Sequence, residues 1–99
     1  MGKYILTKKA LNDLSDIWNY TIETWSENQE DKYYSMIIEN CEYIADNHEL
    51  GKTYKKIFEG LKGFKAGRHM IFYKKKDFDS ILIIRILHEQ MDLKNRINE

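Results

Sequence analysis

The period of the apolar positions changes repeatedly along the chain, and each change marks an element. Lys3-Tyr4-Ile5-Leu6-Thr7 reads as a short strand, with Thr7 placed to cap a helix that opens at Lys8. Leu11, Leu14, Trp18, Thr21, Ile22 and Trp25 then recur at helical spacing, and Ile17 widens the stripe. They predict an amphipathic helix over 8–25, with Asn12, Asp13, Asp16, Asn19 and Glu23 on its polar face. Ser26-Glu27-Asn28-Gln29 has the capping-box pattern and starts a second helix at once. Its buried stripe is Tyr33, Ile37, Cys41 and Ile44, and it should end near Asn47, before Gly51. With almost no loop between them, the two helices form an antiparallel hairpin.

Beyond the turns of residues 48–60 the period shortens to two. Residues 62–66 predict a strand, 68–75 a better one, and 81–87 a nearly continuous apolar run of the kind buried on both faces. In the middle run His69, Ile71 and Tyr73 share one face, and Arg68, Met70 and Phe72 the other. The tail from Met91 to Glu99 carries Leu93 and Ile97 four apart, enough for a last helical turn. The order is strand, helix, helix and three strands. That pattern predicts one α+β domain over 1–99: a helical hairpin on one face of a small antiparallel sheet. Nothing in the chain obviously covers the other face, which makes it a natural place for a partner.

Composition narrows the class. Ninety-nine residues suit one domain, and 42% hydrophobic content is enough for a packed core. No apolar run is long enough to span a membrane, and the first residues lack the apolar segment of a signal peptide. The single cysteine, Cys41, excludes an internal disulfide and fits a reducing cytoplasm. The formal net charge of zero hides an asymmetry. Residues 1–50 hold four Lys/Arg and ten Asp/Glu, whereas 51–99 hold twelve and six. The C-terminal half therefore offers a basic surface to an acidic partner.

Candidate chemistry is sparse. Gly60, Gly63 and Gly67 have neither P-loop nor dinucleotide spacing, His48, His69 and His88 have no metal-ligand pattern, and no cofactor is expected. Cys41 lies on a helix stripe as a core residue. Arg68, His69, Arg85 and His88 are a tight set of cationic and titratable groups of the kind an RNA-cleaving acid–base site needs. Strand alternation, however, splits Arg68 from His69 and Arg85 from His88. His69 and His88 then read as hydrogen-bonded packing residues, and Arg68 and Arg85 as groups that bind rather than catalyse. Arg85, set in an apolar strand, needs a carboxylate: Glu89, Asp92 or one from another protein.

These stretches resemble a known family. Ala10-Leu11-Asn12-Asp13-Leu14-Ser15-Asp16-Ile17-Trp18-Asn19-Tyr20 and Asn47-His48-Glu49-Leu50-Gly51-Lys52 match it in order and spacing. So do Gly67-Arg68-His69-Met70-Ile71-Phe72-Tyr73 and Ile84-Arg85-Ile86-Leu87-His88-Glu89-Gln90-Met91-Asp92-Leu93. Over about nine-tenths of its length the chain resembles the ParE toxins of the RelE/ParE superfamily, from type II toxin–antitoxin modules. The resemblance implies a helical hairpin on a small sheet. It also implies a ParD-like cognate antitoxin, whose C-terminal segment wraps the toxin in a hetero-oligomer, and action on DNA gyrase without enzymatic chemistry. Arg68, His69, Arg85, His88, Met91, Asp92 and Leu93 are the candidate contacts to antitoxin or target. The alternatives are a ribosome-dependent mRNA endonuclease, with Lys55, Lys56 and Arg68 on phosphate and His69 or His88 moving protons, or a family member without toxicity. The tyrosine that the nuclease branch carries near its C-terminus has no counterpart after His88.

Overall fold

The computed structural model describes residues 2–24, 27–57 and 59–88. Strand β1 (Lys3–Leu6) leads into helix α1 (Lys8–Thr24) and helix α2 (Glu27–Asp46). A single 3₁₀ turn (His48–Leu50) and the two-residue strand β2 (Lys52–Thr53) follow, and then β3 (Lys62–Ala66), β4 (His69–Asp77) and β5 (Ser80–His88). The expected elements are present, with one addition, β2. The expected cap Ser26 and the helical turn over 91–99 lie outside the described residues.

The strands form one five-stranded sheet in the order β1-β5-β4-β3-β2. The α+β class holds, but the sheet is mixed rather than antiparallel, because β1 runs parallel to β5 with Lys3 opposite Ser80 and Leu6 opposite Ile83. The parallel pairing is allowed by what separates the two strands. Both helices and three strands separate β1 from β5, a connection long enough to permit the parallel pairing that a tight hairpin cannot make.

Thr7 caps α1 as expected. Its hydroxyl accepts from the Ala10 amide at 3.1 Å and donates to the Ile84 carbonyl at 2.7 Å. The stripe of α1 is rotated from the expected one. Ala10, Leu14 and Ile17 are buried, whereas Leu11 is 52% exposed. A small residue, Ala10, takes the buried position, and Leu11 falls on the flank. In α2, Ile37, Cys41 and Ile44 are fully buried, and they meet Ile71, Tyr73, Ile81, Ile83 and Ile86 of the sheet.

The face away from the helices is not left open as the patterning suggested. Leu61, Phe72 and Leu87 form a second buried cluster there, with Tyr54, Ile57, Met70 and Ile84 packed on it. The segment between β2 and β3 folds back over this face. Tyr54 donates its amide to the Leu61 carbonyl, and its ring meets Phe72 edge-on. The loop is short and its apolar residues are isolated, so no periodicity reveals it.

Two buried groups have shifted acidities. Burial pushes the Cys41 thiol up to about 12, and the Glu42 carboxylate adds to the shift. Burial also raises Tyr73, whose hydroxyl donates to the His48 carbonyl at 2.7 Å and accepts from the Gly51 amide at 2.9 Å. A thiol raised in the folded state stabilises the fold below its ordinary value and loses that contribution as pH rises through it. Unfolding midpoints measured by circular dichroism should therefore fall as pH climbs above 9.0, and Cys41→Ala should flatten that decline. In the native state Cys41 should resist thiol reagents.

Candidate functional site

The chemistry expected on β4 and β5 divides into two arrangements at the same end of the sheet. The first is a lock. β1 stops opposite Ile83, so beyond it the outer edge of β5 has no strand neighbour. The start of α1 takes over that edge. The Thr7 amide donates to the Ile83 carbonyl, the Thr7 hydroxyl to the Ile84 carbonyl, and the Ile86 amide donates to Asp13 Oδ2 at 3.0 Å. The same carboxylate receives Arg85 in a fork, Nε to Oδ2 at 2.8 Å and Nη2 to Oδ1 at 3.0 Å. Arg85 is 8% exposed. The carboxylate this arginine requires is thus supplied by Asp13, within the chain. Glu89 and Asp92, the partners considered from sequence, lie outside the described residues. Asp13 was placed on the polar face of α1 by its helical position. The signal that would have found it is the strand arginine itself, which demands a carboxylate within reach.

The second arrangement is a ring cluster. His69 and His88 are register partners across β4 and β5, and their rings meet edge-on at 5.4 Å between centroids. Alternation concerns neighbours within one strand, whereas pairing between strands brings these two histidines together. Tyr33 of α2 joins them, its hydroxyl 2.6 Å from His69 Nδ1. That hydroxyl also accepts the Arg68 amide at 3.2 Å. Tyr33 therefore ties α2 to both the β3–β4 turn and β4.

Arg68 is not a strand residue. It sits in the tight turn Gly67-Arg68, exposed to solvent. Gly67 has φ +64°, and a Cβ there would meet Met36 Cε at 2.7 Å and Tyr33 at 3.1 Å. A glycine is required both for the left-handed backbone and for the close approach of α2. Of the seven residues proposed from sequence, the structure brings His69 and His88 together, leaves Arg68 on the rim beside them, and holds Arg85 in the lock. Met91, Asp92 and Leu93 lie outside the described residues.

On the helical side, Leu11, Leu14, Ser15, Trp18, Asn19 and Tyr34 line a shallow groove of about 400 Å³. Trp18 and Tyr34, both in its lining, meet edge-on. Among the described residues, no group of three or more His, Cys, Asp or Glu is placed to hold a metal ion. Among them, too, no helix is long and apolar enough to cross a membrane.

Comparison with known proteins places this arrangement. The family described as "ParE toxin of type II toxin-antitoxin system, parDE" matches residues 4–93. The chain belongs to this family. Toxin ParE of Escherichia coli is 30% identical over 97 residues, covering 98% of this chain and 94% of that protein. Toxin ParE1 of Caulobacter vibrioides is 30% identical over 92 residues, covering 93% and 94%. Toxin ParE1 of Mycobacterium tuberculosis is 28% identical over the same length. Among solved structures, a chain of "Chromosomal ParDE TA system from P. aeruginosa" superposes with a TM-score of 0.73 at 18% identity. It covers 89% of this chain and 96% of that one, and it supports the fold. The protein is a ParE-type toxin of a toxin–antitoxin system.

Removing one partner of a buried, forked ion pair leaves the other charge uncompensated. Asp13→Ala should therefore cost about 3 kcal/mol in urea unfolding. It should cost more than Asp16→Ala one turn on, which removes an exposed carboxylate. Gly67→Ala should cost about 1–2 kcal/mol from its backbone alone, and more from the contact with Met36.

Proposed function

We propose that this ParE-type toxin acts in the cytoplasm by binding DNA gyrase, without enzymatic turnover, and is neutralised by a cognate ParD-like antitoxin in a hetero-oligomer. The observation that carries this reading is the family match over residues 4–93, which places the whole folded domain among ParE toxins. The Pseudomonas structure that shares the fold is of a ParDE system, and this points to the same kind of partner here.

The charge distribution supports an acidic antitoxin segment. Arg68 stands on an exposed turn beside the His69–His88 pair and is the natural anchor for its carboxylates. Arg85 serves the same surface from beneath, because its pair with Asp13 holds β5 in place. Met91, Asp92 and Leu93 would extend the contact surface. The groove along α1 and α2 offers an apolar seat for a helix of the partner.

One observation favours a second reading, an mRNA endonuclease. His69, His88 and Tyr33 converge, and two imidazoles side by side are what proton transfer at a ribose 2′-hydroxyl requires. Expression without antitoxin separates the two readings. Gyrase binding predicts cleaved DNA and an SOS response, with loss of supercoiling by purified gyrase in the presence of the toxin. The nuclease reading predicts arrested translation with cut messages, abolished in His88→Ala. Unaffected cells and unaffected gyrase would sink both.

The anchor role has its own test. Arg68→Ala should weaken binding of the antitoxin's C-terminal segment by more than about 1 kcal/mol in calorimetric titration, with unfolding unchanged. Equal affinity of the two proteins would remove Arg68 from the contact.

A further inference from the structure

The end of the sheet away from Arg68 carries a feature that neither folding nor the ring cluster uses. The β4–β5 hairpin closes on Phe78 and Asp79, and Phe78 is 91% exposed. Tight-turn positions are normally filled by Gly, Pro, Asn, Asp or Ser, so a phenylalanine there answers no conformational need. Buried nowhere, it adds nothing to the core.

The turn is nonetheless held firmly. The Ser80 hydroxyl donates to Asp77 at 2.5 Å across its base, and the Lys3 amide donates to the Asp79 carbonyl at 2.8 Å. The ring is thus presented on a fixed support.

The topology surrounds it with cations. Lys74, Lys75 and Lys76 lead into the turn, past the last β3–β4 pair at Lys62 and Tyr73. Lys3 starts β1 opposite Ser80. The connection from β2 to β3, with Lys55 and Lys56, lies at the same end. All six lysines are exposed. Carboxylates also stand at this end, Asp46, Glu49, Glu59, Asp77 and Asp79, but Asp46 is engaged by the Gly2 amide and Asp77 by Ser80. Lysines on a bare strand edge also deter edge-to-edge association, but that role does not call for an aromatic at the tip.

A solvent-facing ring on a rigid tip, flanked by lysines, matches the chemistry of a nucleic-acid strand: phosphates for the ammonium groups and a base face for the ring. We propose that this end of the toxin binds nucleic acid, with Lys74–Lys76 on the backbone and Phe78 stacked on a base. The proposal goes beyond the choice of gyrase as target and does not depend on it.

The test is fluorescence anisotropy of the purified chain with labelled DNA and RNA single strands of about 15 nucleotides, and with the matching duplexes. Salt is varied from about 25 to 200 mM. Binding should weaken steeply with salt. Phe78→Ala should weaken it about fivefold or more at fixed salt. Replacing the three lysines by glutamine should reduce the slope of log affinity against log salt by about two. Circular dichroism should show both variants folded, since all four side chains are exposed. Preference for single strands assigns the ring to an unpaired base, and preference for duplex assigns it to a base step. The DNA and RNA arms identify the strand. Failure to bind any strand at the lowest salt overturns the proposal. So does unchanged binding by the Phe78 variant, or capture only by vesicles of phosphatidylcholine and phosphatidylglycerol.

Discussion

The fold depends on one carboxylate. Asp13 Oδ2 accepts both the Arg85 side chain and the Ile86 backbone amide, so a single group meets the needs of a buried cation and of an unpaired strand edge. Without it, β5 would lose the forked acceptor of its arginine and the acceptor of the Ile86 amide just where β1 ends. Each such lapse is costly in a buried setting. The position of α1 is therefore determined twice. Ala10, Leu14 and Ile17 set its depth on the sheet, and Asp13 sets its register along β5. A purely apolar contact would allow sliding, whereas a forked ion pair with a third donor does not.

This lock also explains how two roles share β5. The strand lies between β1 and β4 and is buried on both faces, which is a poor setting for recognition. Arg85 is consequently engaged by Asp13, and the recognition proposed above falls to the places where the sheet meets solvent. The Gly67-Arg68 turn is one such place, joined to α2 through Tyr33. The Phe78 turn is the other, joined to β1 through Lys3. Both turns are braced from a neighbouring element.

Much of this was legible in the sequence where a single period or a single residue type decided the outcome. The Thr7 cap, the α2 stripe and the three later strands follow from local chemistry, and the family resemblance rested on residues that do lie in the matched region. What escaped required knowledge of pairing. Nothing in Lys3–Leu6 announces a parallel partner in β5. The meeting of His69 and His88 depends on the register of β4 against β5, which shifts between Phe72 and Tyr73 and again near the turn. Asp13 escaped for the opposite reason. It obeys its helix's polar face locally, and only the arginine on a distant strand reveals that this part of the face is buried.

The same reasoning bears on what a ParE-type domain can change without losing its shape. Tyr33 holds the Arg68 turn through a backbone amide, so the arginine side chain makes no demand on the support beneath it. The Phe78 turn is closed by Ser80 and Asp77, so the ring likewise is free of structural duty. Side chains at both ends can therefore be exchanged to suit a partner, while Asp13, Arg85 and Gly67 must stay. The residues proposed for recognition stand in turns, whereas the pair that fixes the fold joins α1 to β5.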